Sequence, residues 1–89
     1  LGDSMRRRLA SKLLDRAADI DPDNPRYLLA LGRLRLRTPL RRVEAERIFR
    51  KALAIAERTG DTAHVAEASR ELGEVKRRRY LTGKDRRLY

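Results

Sequence analysis

Apolar residues recur along this chain at helical intervals. Ala10, Leu13, Leu14 and Ala17 follow an i, i+3, i+4, i+7 rhythm, which lines one side of a helix. Asp21-Pro22 closes that segment, because proline lacks the N–H that the ladder needs and pushes its predecessor out of helical geometry. Asn24 and Pro25 then read as the cap and first residue of a second helix. In it Tyr27, Leu28, Leu31 and Leu34 fall on one side and Leu29 and Leu36 on a flank, a spread expected of a helix enclosed by neighbours. Thr38-Pro39 repeats the cap-then-proline device ahead of Ala45, Ile48, Phe49, Ala52 and Ala56. Thr59-Gly60 ends this third helix, since glycine suits the left-handed residue that terminates many helices. Asp61 or Thr62 caps a fourth, with Val65, Ala68, Ser69, Leu72, Gly73 and Lys76 along one side, and Gly83 stops it. The pattern predicts an all-α chain with helices at about 4–20, 25–37, 39–58 and 62–81. Residues 1–83 are expected to form one domain and 84–89 a basic tail.

Two glycines sit inside predicted helices, Gly32 and Gly73, and each is preceded by leucine. A mid-helix glycine costs about 1 kcal/mol relative to alanine, so something must offset it. Ala10, Leu14 and Ala17, and again Ala45, Phe49 and Ala52, share the spacing Ala-x3-large-x2-Ala. The expectation is antiparallel packing in which each glycine lets a neighbouring helix approach through its alanines.

These residues resemble the tetratricopeptide repeat family, whose pattern runs roughly W-x2-L-G-x2-Y, then A-x3-F, then proline, over about 34 residues. Ala10, Leu14, Ala17 and Pro22 are similar to the second helix of one repeat. Leu28, Leu31 and Gly32 with Ala45, Phe49 and Ala52 are similar to a whole repeat, Leu28 standing for the tryptophan and Arg35 for the tyrosine. Ser69, Leu72 and Gly73 are similar to the first helix of a third. From Ala52 to Gly73 is 21 residues against 15 from Ala17 to Gly32, which is similar to the longer variety of about 40 residues per repeat. From Gly32 to Ala45 is 13, which places an extra residue in the Thr38-Pro39 turn. The resemblance implies a helix-turn-helix solenoid of about two repeats, acting as a non-catalytic scaffold for protein binding.

Composition narrows the chemistry. Lysine and arginine total 23 against 13 acidic residues, for a net charge of +10, and 19 of the cations are arginine. Such a balance favours acidic partners, although surface ion pairing would enrich arginine just as well. No cysteine is present, which excludes disulfides and thiolate ligands. The lone His64 cannot assemble a metal shell, Glu44 and Glu46 fall on different helix faces, and no phosphate-cradling glycine loop exists. Neither catalysis nor a cofactor is expected. The longest uncharged apolar run, residues 27–31, is far shorter than the roughly 20 residues of a membrane span. The chain begins at Leu1, as expected of a piece of a longer protein or of a processed form, and its compartment stays open between the cytoplasm and export.

In such a stack the second and fourth helices line the concave side. Helical spacing puts Arg26, Leu29, Arg33, Leu36 and Arg37 opposite Leu28 and Leu31, and Glu67, Arg70, Glu74, Arg77 and Arg78 opposite Ser69 and Leu72. The predicted site is a groove striped with Arg26, Arg33, Arg37, Arg70 and Arg77, anchored by Leu29 and Leu36 and tempered by Glu67 and Glu74. It suits an acidic or C-terminal peptide segment held by charge-assisted hydrogen bonds. The competing expectation is that these are solvated charges in i, i+4 pairs, worth a few tenths of a kcal/mol each. The terminal helices each lack a partner, so the alternative function is a self-assembling subunit stacking head-to-tail into a filament or ring. A nucleic-acid-binding role for Arg6-Arg7-Arg8, Arg41-Arg42 and residues 76–79 ranks third, because four aromatics, Phe49 among them reading as core, leave few stacking platforms.

Overall fold

The computed structural model describes residues 2–87, with side chains described at 2–38 and 40–78. Four helices follow in order: α1 (Asp3–Ile20), α2 (Pro25–Leu36), α3 (Arg42–Thr59) and α4 (Thr62–Arg87), with a 3-10 turn (Pro39–Arg41) between α2 and α3. The boundaries come from local chemistry. Asn24 accepts a 3.0 Å bond from the Arg26 N–H, and Pro25 occupies the first turn, where its missing N–H has no partner to lose. Gly60 takes φ 72° at the end of α3, its N–H reaching Ala56 and Glu57 while the Asp61 N–H closes on the Ala56 carbonyl at 2.8 Å. Asp61 caps α4 by accepting from the His64 N–H at 3.2 Å, and its other oxygen contacts the His64 ring.

Two boundaries differ from expectation. Pro39 opens a 3-10 turn, and α3 begins at Arg42. Its tighter winding takes up the extra residue noted between Gly32 and Ala45. Gly83 does not end α4, which continues to Arg87, so most of the expected tail is helical. A lone glycine weakens a helix without breaking it. Residues 88–89 of that tail lie outside the described residues.

The helices pack in sequence. α2 meets α3 most extensively, α3 meets α4, and α1 meets α2. α2 also touches α4, whereas α1 reaches neither α3 nor α4. The result is a slab measuring 46 × 37 × 15 Å. Its core joins Leu28, Leu29 and Leu36 of α2, Ala45, Phe49, Ala52 and Ile55 of α3, and Ala68 and Val75 of α4. Phe49 is fully enclosed and sits on Gly32: a Cβ there would lie 2.5 to 2.8 Å from three of its ring carbons. Gly32 therefore admits an aromatic ring, where alanines were expected.

Gly73 corrects the expectation outright. It is exposed, and a Cβ added to it would meet nothing within 4 Å. The buried side of α4 is Ala68 and Val75 with Leu72 and Val65 at its margin, and Ser69, Gly73 and Lys76 face solvent. Among the described residues α4 meets only α3 and α2, and neither comes within 4 Å of a Cβ built on Gly73. α1 likewise contributes no buried residue. No helix among the described residues is long and apolar enough to cross a membrane.

Candidate functional site

The fold sets α2 beside α4, so the expected arginine stripe spans the two helices, but its expected apolar anchors are buried. Arg26, Arg33 and Arg37 lie on the exposed side of α2, and Arg70 and Arg77 on that of α4. Leu29 and Leu36, expected as groove anchors, are 1% and 7% exposed and belong to the core. They are enclosed in the core that α2 forms where it meets α3 and α4, which an isolated wheel does not show. The same crossing brings Arg33 onto Glu67, with Glu71 3.5 Å away. The Glu67 hydrogen bond is the largest influence on Arg33 and raises its pKa against the opposing effect of burial. Glu74 serves two cations, accepting from Arg77 at 2.8 Å and from Arg78 at 2.9 Å, and these bonds hold its carboxyl below the ordinary range. Arg26, Arg37 and Arg70 make no ion pair among the described residues. The stripe is thus a partly compensated surface with no apolar anchor. Exposed pairs of this sort contribute roughly 0–1 kcal/mol each.

A second cationic surface forms where the start of α1 runs beside the end of α2. An open cleft of about 360 Å³ is lined by Arg7 and Arg8 of α1, Arg35 of α2 and Arg41 of the 3-10 turn, together with the hydroxyls of Ser4, Ser11 and Thr38. Arg35 organises it. Its side chain is only 12% exposed, with Nε donating to Glu44 at 2.9 Å and Nη2 to the Ser11 hydroxyl at 2.6 Å. One side chain so ties α1, α2 and α3 together. Glu44 is shared, since its other oxygen lies 3.7 Å from Arg41. Arg7 and Arg8 have no ion pair among the described residues. Asp3, Arg6 and Arg37 line an adjoining hollow that shares Arg7.

The arginine triplet and Arg41-Arg42 are separate clusters along the sequence, and the fold brings Arg7 and Arg8 to one cleft with Arg41. The available signal was Arg35, a cation where the repeat pattern has an aromatic residue. A long charged side chain at an enclosed position has to reach acceptors on other elements, and those acceptors, Ser11 and Glu44, mark the cleft.

The third surface is apolar. Met5, Leu9, Leu13 and Ile20 of α1 are 41%, 48%, 68% and 80% exposed along one side, while Ala10, Leu14, Ala17 and Ala18 are half-buried on the other. Leu13 was expected to share the face of Ala10 and Ala17 and instead belongs to the outer one. Across the slab, the open side of α4 around Ala66, Ser69 and Gly73 carries little side-chain bulk. No family model, curated protein or solved structure matches the chain.

Proposed function

We propose that this chain is a non-catalytic interaction module of the tetratricopeptide kind, and that it takes an acidic segment of a partner protein. Three features support the repeat reading. The helices pack in chain order, α2 and α4 approach each other while α1 and α3 do not, and the Leu-Gly pair of α2 receives the large residue of the α3 motif. The binding reading rests on one observation: among the described residues Arg7 and Arg8 have no acidic partner, in a cleft that Arg35 and Arg41 also line. Arg33 and Arg77, by contrast, already have carboxylates from their own chain. The cleft therefore replaces the α2–α4 stripe as the principal binding surface.

The test is titration of an end-blocked oligoglutamate peptide, followed by fluorescence anisotropy. Arg7→Glu with Arg8→Glu should weaken binding about tenfold or more, since each hydrogen bond to a charged group is worth roughly 1.5–3 kcal/mol. Arg33→Glu with Arg70→Glu should change it only a few-fold. The opposite ranking would return the site to the stripe, and no binding by the parent chain would remove the reading.

The outer face of α1 favours a second reading, head-to-tail assembly. Four apolar side chains protrude from α1 and the exposed Ala66, Ser69 and Gly73 side of α4 carries little bulk, while Asp15 and Asp19, exposed and without an ion pair among the described residues, are opposite in charge to Arg70. Leu13→Glu and Gly73→Arg should each block one end, so that the two variants mixed form only dimers. Light scattering that finds a monomer at high concentration would end this reading.

A further inference from the structure

We infer that the α1–α2 cleft takes a phosphate monoester dianion, so that the partner segment is a phosphorylated peptide; this rests on the acidic-partner reading and specifies its chemistry. Charge comes first. Four arginines line the cleft and, among the described residues, no carboxylate does; Glu44 behind it is divided between Arg35 and Arg41, and Asp3 borders only the adjoining hollow that shares Arg7. A side-chain carboxylate brings one negative charge, whereas a phosphate ester at neutral pH brings about 1.5 to 2. The dianion is the better match to the uncompensated cations.

Geometry points the same way. The donors come from three elements: Arg7 and Arg8 from α1, Arg35 from α2, and Arg41 with Thr38 from the connection that follows. A planar carboxylate is satisfied by one bidentate guanidinium, while a phosphate presents three strong acceptor oxygens in different directions. Arg35 is already pinned by Ser11 and Glu44, so its remaining N–H groups need little ordering when the anion arrives. A cleft of about 360 Å³ is at the small end of organic-ligand sites, enough for a phosphorylated residue and its neighbours. Among the described residues Leu34 is the only apolar one lining the cleft and no aromatic side chain borders it, so a nucleobase finds no platform there on which to stack.

The experiment compares three end-blocked pentapeptides of glutamate that carry phosphoserine, glutamate or serine at the centre. Each is titrated into the 15N-labelled chain at constant ionic strength, with an oligothymidylate of similar charge as the nucleic-acid arm. The phosphopeptide should bind about tenfold tighter than the all-glutamate peptide, the step expected for one added charge-assisted contact. Its shifts should centre on the Arg7, Arg8 and Arg35 Nε–H signals and the Thr38 amide. Its affinity should also rise between about pH 5 and 7, as the ester loses its second proton near pH 6, while that of the all-glutamate peptide should not. Arg7→Gln with Arg8→Gln should abolish the advantage of the phosphopeptide with helicity unchanged, and Arg26→Gln with Arg70→Gln should leave it intact. Equal affinities for the phospho and all-glutamate peptides would overturn the phosphate assignment but leave the acidic-partner reading standing. If neither peptide binds, both fall. Tighter binding of the oligothymidylate would overturn both in favour of nucleic acid.

Discussion

The two mid-helix glycines should respond to the same substitution in opposite directions. Gly73→Ala places a methyl group where nothing lies within 4 Å, so only the backbone term changes. Alanine is favoured over glycine in a helix by roughly 0.5–1 kcal/mol, which in a domain of this size raises the melting temperature by about 3–8 °C. Gly32→Ala gains the same backbone term but drives a Cβ to 2.5 Å from Phe49 Cε1 and to 2.8 Å from Cδ1 and Cζ. That ring cannot swing aside, because Phe49 is fully buried with Ala45 and Ala52, also wholly enclosed, on either side of it in α3. Overpacking of this kind costs about 1–3 kcal/mol, and a 2.5 Å approach belongs to the upper part of that range, so the net change is a loss of up to about 2.5 kcal/mol. Thermal unfolding followed by circular dichroism, with denaturant titration to confirm a constant m-value, reads both effects. Shortening the ring should relieve the clash: Phe49→Leu should cost less in the Gly32→Ala background than in the parent, and the double-mutant cycle gives the coupling directly. If the two glycine variants shift stability in the same direction, the assignment of one glycine to a helix crossing and the other to open surface is wrong.

Two further outcomes follow from side-chain contacts. Arg35→Met keeps an apolar stem but removes the bonds to Ser11 and Glu44, and α1 has no buried residue to compensate. Hydrogen exchange should then speed up about tenfold in α1, for a loss of roughly 1–2 kcal/mol, and hardly change in α3; uniform acceleration would show that α1 unfolds only with the whole domain. Acid should destabilise the fold in a defined window. Asp61, through its hydrogen bonds from His64, and Glu74, through those from Arg77 and Arg78, have carboxyls held below their ordinary range in the folded state. Their stabilisation is therefore complete above the unfolded carboxylate range and is lost as pH falls through the depressed folded values. The melting temperature should be level from pH 7 to about 5 and decline below about 4, and Asp61→Asn with Glu74→Gln should flatten that decline. An unaltered slope in the double variant would assign the acid loss to general repulsion among the excess cations.

Most of the fold could be read along the chain because the signals that start and stop these helices act over a few residues. Asn24 caps α2 through the N–H two residues on, Pro25 occupies a position that loses no bond, and Gly60 supplies a left-handed residue that its neighbours cannot adopt readily. None of these depends on what packs nearby. The site was less legible for the opposite reason. A helical wheel sorts residues by direction but does not say which directions are covered, so Leu29 and Leu36 read as groove anchors although they belong to the core shared with α3 and α4. Arg33 looked available until Glu67 and Glu71 arrived from 34 and 38 positions further along the chain.

The all-α class, the four helices and their turn chemistry are local properties, set by backbone bonding within a turn or two of each residue. Which face of each helix is buried is a property of its neighbours. Gly32 and Gly73 share the Leu-Gly motif, yet one receives the ring of Phe49 and the other faces water, because α3 lies against the first and no helix among the described residues lies against the second. The cationic cleft belongs to the same category: Arg7, Arg8, Arg35 and Arg41 are scattered over 35 positions and meet only because antiparallel packing sets the beginning of α1 beside the end of α2.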